Sequence, residues 1–155
     1  MGVTVGITGH TKGFGKHISA RCEALGYKVE GFSRTNGYDL LFNADAIFEA
    51  NLDIIVNNAE IGNAQINVSL LANKHNIKCI NIGSDITEAN VYTTENIVKK
   101  ENKITLRDLS KSFSQTYLTW GFLEDHELIK DNPHLLTTTT LDQAVEEVVN
   151  ELASL

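Results

Sequence analysis

A short β-branched run, Val3 to Ile7, leads directly into Thr8-Gly9-His10-Thr11-Lys12-Gly13-Phe14-Gly15, and a helical apolar stripe of Ile18, Cys22 and Leu25 follows. A strand that turns through three closely spaced glycines into an amphipathic helix is the opening of a βαβ unit. The helix must then cross back over the sheet, so the next strand, Lys28 to Phe32, is expected to lie parallel to the first. Gly26 ends the helix just beyond its last apolar position.

The rest of the chain keeps that rhythm. Apolar strands are predicted over 52–56, 77–82 and 116–122, the last carrying Tyr117 and Trp120. Helices are predicted over 40–50, over 63–75 with Ile66, Leu70 and Leu71 inward, and over 90–114 with Leu106, Leu109 and Phe113 on one face. A last helix covers 141–153, with Thr140 as N-cap, Gln143 completing a capping box, and Leu141, Ala144, Val145, Val148, Val149 and Leu152 as its apolar face. Strands this apolar, separated by amphipathic helices, need cover on both faces. The expected architecture is a Rossmann-type doubly wound parallel sheet, three-layer α/β/α, in one domain over 1–155.

Bulk properties narrow the function classes. At 155 residues and 42% apolar the chain has enough for one substantial core. A net charge of −7 and a pI of about 5.1 repel nucleic acid and anionic membrane, so neither is an expected partner. Cys22 and Cys79 each lie in an apolar segment and read as buried, reduced thiols. The five histidines, His10, His17, His75, His126 and His134, show no metal-ligand spacing, so no metal is expected. MGVTVGITG carries no basic leader and no apolar run is long enough to span a bilayer, which predicts a soluble cytoplasmic protein.

Each glycine of the loop has a physical task in holding a dinucleotide. Gly9 permits the sharp exit from the strand, Gly13 lets the backbone approach a pyrophosphate, and Gly15 lets the helix pack against the sheet. The helix start beyond Thr11, Lys12, Gly13 and Phe14 offers unpaired N–H groups and a positive dipole end to phosphate. At the end of the second strand Ser33-Arg34 stands where an acidic residue would bind the ribose hydroxyls of NAD. Arg34 presents a charged fork to a 2′-phosphate instead, and Lys12 adds a second cation. NADP is the expected cofactor, ahead of NAD.

The spacing G-x-x-x-G-x-G after Thr8 resembles the short-chain dehydrogenase/reductase (SDR) family. Asn57-Asn58-Ala59 resembles the family's NNAG motif, with Glu60 in place of its last glycine. Asn81-Ile82-Gly83-Ser84 resembles its N-I-S-S, whose final serine is catalytic, and Thr119-Trp120-Gly121-Phe122 resembles its P-G motif, with Trp120 replacing the proline. The resemblance implies that Asp39-Leu40 contacts the adenine, that Asn57, Asn58 and Ala59 line the cofactor, and that Gly83 and Ser84 sit near the nicotinamide. It also implies carbonyl or alcohol oxidoreduction on a small molecule, with Ser84 orienting the oxygen and Lys103 holding the ribose. Asn67 stands near the family's catalytic asparagine.

The chain departs from that family at the proton donor, which should be a tyrosine four residues before the lysine. The stretch Lys103-Ile104-Thr105-Leu106-Arg107-Asp108-Leu109-Ser110-Lys111-Ser112-Phe113 resembles the family's K-x-x-L-x-x-L-S-x-S-L helix and puts Lys99 in the tyrosine slot. Counting from Ser84 instead puts the slot at Asn96 to Val98. Tyr92 is the nearest tyrosine, but on one continuous helix it would stand about 16 Å from Lys103 along the axis, so it acts only if a loop interrupts the helix. Lys99 or Tyr92 must therefore manage the proton, or the protein is a non-catalytic dinucleotide-binding sensor or regulator. The segment 123–139, where a substrate lid would sit, is brief. The family's pairing through its long helices implies a homodimer through 63–75 and 90–114.

Overall fold

Among the described residues five short strands, β1 (Thr4–Thr8), β2 (Lys28–Phe32), β3 (Ile54–Asn57), β4 (Lys78–Ile82) and β5 (Thr116–Leu118), form one sheet in the order β2-β1-β3-β4-β5. Every neighbouring pair is parallel. The computed structural model describes residues 2–120, Asn132 and 140–154. The expected strand end at Gly121-Phe122 and the segment 123–139 apart from Asn132, and with it His126 and His134, lie outside the described residues.

Helices α1 (Gly13–Ala24) and α4 (Leu141–Ser154) cover one face, while α2 (Ala64–Lys74), α3 (Thr94–Ser112) and a 3₁₀ segment, Ala44–Glu49, cover the other. This is the Rossmann-type three-layer α/β/α arrangement. The first face buries Val5, Ile7, Ile54, Val56, Ile80 and Ile82 against Ile18, Cys22 and the valines of α4. The second buries Phe32, Leu40, Ile47, Leu52, Ile55 and Cys79 against Ala64, Val68 and Ala72. Burial pushes the Cys22 thiol up to about 11 and the Cys79 thiol further up, which keeps both protonated and inert.

Two local expectations give way. The helix expected over 40–50 is a 3₁₀ segment starting at Ala44. The Asp39 carboxylate takes the backbone N–H groups of Leu41 (3.1 Å) and Phe42 (3.3 Å), an alternative to the first helical turn. Leu40, Ala44 and Ile47 are buried all the same. In α2 the expected inward face is rotated: Leu70 is 42% exposed, and Gln65, Val68, Ser69 and Ala72 face the sheet. The reason is the sheet surface below, where Asn57 and Asn81 are paired partners in neighbouring strands and need polar company. Thr140 and Gln143 do form the reciprocal cap of α4, with bonds of 2.9 and 3.2 Å. No helix among the described residues is long and apolar enough to cross a membrane.

Candidate functional site

The chain runs from β1 to β2 on one side and then returns to β3 on the other, so the strand order reverses between β1 and β3. A crevice at the carboxyl ends of the strands is where such sheets bind ligands. The glycine loop leaves β1 at that point. Gly9 has a left-handed φ of 67° and its N–H bonds to Phe32 O at 2.9 Å, which ties the loop to the end of β2. The Thr8 hydroxyl accepts the N–H groups of Asn58 (2.9 Å) and Ala59 (3.0 Å), joining the end of β1 to the loop after β3. The Asn58 amide donates to Thr8 O at 3.1 Å.

Gly15 and Gly13 play opposite parts. A Cβ on Gly15 would stand 2.1 Å from Gly9 O and 2.7 Å from the Asn58 amide, so only glycine lets the start of α1 seat on the loop. Among the described residues a Cβ on Gly13 would meet nothing within 4 Å, and its φ is 51°. The loop is thus closed beneath Gly15 and open at Gly13. Lys12 is the N-cap of α1 and no side chain caps that terminus. A twelve-residue helix with an uncapped start and an open glycine presents N–H groups and a positive dipole end, which fits an anionic group such as a pyrophosphate. Phe14 packs edge-on against Trp120, ring centroids 5.2 Å apart.

At the end of β2, Ser33 and Arg34 enter a short turn clamped by Asn36. The Asn36 carbonyl accepts Ser33 N–H at 2.9 Å and its amide donates to Gly31 O at 2.6 Å. Arg34 and Lys12 are both exposed at this edge of the sheet. The His10 ring lies over Gly31, where a Cβ would stand 2.2 Å from it. That contact was not legible in the sequence, because nothing local ties residue 10 to residue 31.

The other expected residues divide. Gly83 follows β4, with its N–H bonded to Leu118 O at 2.7 Å, and a Cβ there would strike the Tyr117 ring. The Ser84 hydroxyl accepts Ile86 N–H at 3.1 Å and caps a 3₁₀ turn, Asp85–Glu88. Asn57 has no exposed surface; its amide donates to Gln65 O and Asn81 Oδ1 beneath the site. Asn67 is half-buried on α2.

Tyr92 precedes α3, which starts only at Thr94 with Thr93 as its cap, and is 76% exposed. It does not join the residues lining the cavity beside Lys103. Lys99 does. It is one helical turn from Lys103, its side chain is 45% exposed, and it pairs with Glu95 at 3.2 Å.

Lys103 is the most constrained charge in the described residues. Its side chain is 4% exposed. The ammonium donates to Gln65 Oε1 at 2.6 Å and Ile82 O at 2.9 Å, and Glu60 lies 3.6 Å away. Burial pulls its pKa below the usual 10.5, and Glu60 opposes that. Gln65 in turn donates to Asn57 O and Ile82 O. Lys103, Gln65, Glu60 and Lys99 all face a cavity of about 320 Å³ between α2 and α3. Sequence reasoning missed Glu60 and Gln65 as members of this group. Two signals were available: Glu60 breaks an otherwise glycine-ending motif, and Gln65 and Ser69 are one turn apart on a helix that covers two strand asparagines.

The sequence matches no protein-family profile and no curated protein. Solved structures do resemble it. A short-chain dehydrogenase from Burkholderia cenocepacia in complex with NADP has 14% identity and a TM-score of 0.68 over 98% of this chain and 84% of that one. A short-chain dehydrogenase from Streptomyces avermitilis has 15% identity and a TM-score of 0.65 over 99% and 85%. A Bordetella bronchiseptica enzyme in complex with NAD+ has 16% identity and a TM-score of 0.57 over 77% and 55%. At these identities the likeness is one of fold.

Proposed function

We propose that the chain is a shortened, catalytically divergent SDR-type oxidoreductase that binds NADP(H) and acts on a small carbonyl or alcohol. The carrying observation is the glycine loop, which is packed shut at Gly15 and open at Gly13 on an uncapped helix start at the point where the strand order reverses. Gly9, Thr11, Lys12, Gly13 and Phe14 would hold the pyrophosphate, and Arg34, Ser33 and Lys12 the 2′-phosphate. Asp39, Asn58, Ala59 and Gly83 would flank the rest of the dinucleotide. When bound, the nicotinamide supplies or accepts hydride. Ser84 would orient the substrate oxygen at the same end of the sheet. Lys103 would stand on the ribose side, with two of its protons already given to Gln65 and Ile82 O. That solved neighbours of this fold carry NADP in one case and NAD+ in another supports the cofactor class.

Among the described residues no tyrosine lines the cavity beside Lys103, and this favours a second reading: a dinucleotide sensor without turnover. A calorimetric titration separates the cofactors. NADP(H) should bind more tightly than NAD(H), and Arg34→Ala should erase about tenfold or more of that preference, the worth of one charge-assisted contact. Equal affinity of the native protein for both would sink the NADP assignment. The same proposal extends to a homodimer through α2 and α3, helices that pack side by side and expose Leu70, Ile97 and Val98.

A further inference from the structure

The cavity between α2 and α3 holds a chemistry that dinucleotide binding does not require. An ammonium has three protons. In Lys103 two are committed, to Gln65 Oε1 at 2.6 Å and to Ile82 O at 2.9 Å, both deep in the fold. The third faces Glu60, whose Oε2 is 3.6 Å away and whose side chain is 44% exposed on the cavity wall. If that third proton moves to Glu60, the amine keeps its two buried hydrogen bonds unchanged. Its lone pair then points to the side of Glu60 and the cavity. Burial favours this neutral form, because it disfavours the charge on Lys103.

We infer that Lys103 is a carbonyl-reactive amine that condenses with a small, neutral aldehyde in this cavity to form an imine, with Glu60 carrying the proton. The Lys103 proton goes to Glu60, and the amine lone pair attacks the carbonyl carbon. The C=O π pair moves to oxygen, which takes one proton from the now cationic nitrogen to give a neutral carbinolamine. The nitrogen lone pair then forms C=N while the hydroxyl leaves as water, protonated by Glu60. The net change is ammonium plus aldehyde to protonated imine plus water, with the Glu60 carboxylate restored and no oxidant or cofactor. Size and charge set the ligand class. About 320 Å³ suits a short carbon chain, Ile66 and Val98 supply apolar wall, and the two lysines are balanced by Glu60 and Glu95. Lys99 shares the cavity but is half-exposed and tied to Glu95, so it is the internal comparison.

The test is reductive trapping of the whole chain with propionaldehyde and cyanoborohydride near neutral pH, read by peptide mass spectrometry. Lys103 should be propylated about tenfold faster than Lys99, because burial disfavours its protonated form. Lys103→Arg, which keeps the charge, should remove that fast phase. In Glu60→Gln the amine is more easily neutral, yet labelling should slow by about tenfold or more, because the acid–base partner is gone. A merely buried lysine would instead label faster once Glu60 is removed. Labelling spread evenly over the lysines, an unreactive Lys103, or a rate unchanged or raised in Glu60→Gln overturns the inference. NADPH titration of the same sample is scored separately, since the imine chemistry does not rest on the dinucleotide reading.

Discussion

At the scale of the residue, Lys103 couples stability to pH in a direction that can be worked out. Its folded pKa lies below the 10.5 of a free lysine, so between those values the unfolded chain binds the proton more tightly. Stability therefore rises with pH through that window, by at most about 1.4 kcal/mol per pH unit. Urea melts of the native protein and Lys103→Met over that range should show the native chain gaining on the variant as pH rises. A difference independent of pH would mean that Lys103 is not desolvated. A family resemblance of its helix pointed sequence reasoning to Lys103, and spacing pointed it to Gly9, Gly13 and Gly15. It passed over Glu60 and Gln65, whose signals lay in a broken motif and a polar helix face, and could not reach His10, which matters only through a partner distant in sequence.

At the scale of the element, α3 carries two lysines on one face because positions four apart lie one above the other. That geometry makes Lys99 the place to restore a proton donor. The native protein should turn over simple aldehydes and ketones weakly with NADPH. Lys99→Tyr should raise that rate at least about tenfold, within the usual range for a positioned general acid. Absorbance of NADPH over a carbonyl panel measures it. Robust native turnover that survives replacement of both Lys99 and Tyr92 would show that neither is the donor. The elements themselves were largely legible, because apolar strands and amphipathic helices declare their period. The rotation of α2 was not: its apolar pattern points Leu70 inward, whereas Asn57 of β3 bonds Gln65 and Asn81 of β4 reaches Ser69 through Gln115. The 3₁₀ segment after Asp39 escaped for a similar reason, as a side chain captured the backbone.

At the scale of the whole molecule, a sheet of order β2-β1-β3-β4-β5 brings the glycine loop, the Ser33-Arg34 turn and the end of β4 to one edge. Beyond that edge the helices expose Leu70, Ile97 and Val98, and light scattering should find a homodimer that Val98→Glu weakens. A monomer at high concentration would refute the pairing. The central claim is that the open glycine of the loop receives a dinucleotide, and NADPH fluorescence titration of the native chain against Gly13→Val tests it most directly. A Cβ at residue 13 meets none of the described residues and its φ of 51° strains any side chain there, so the variant should stay folded at a cost of about 1–2 kcal/mol. The account predicts saturable NADPH binding by the native protein and its loss in folded Gly13→Val. Undiminished binding in that folded variant, or no binding by the native protein, would contradict it.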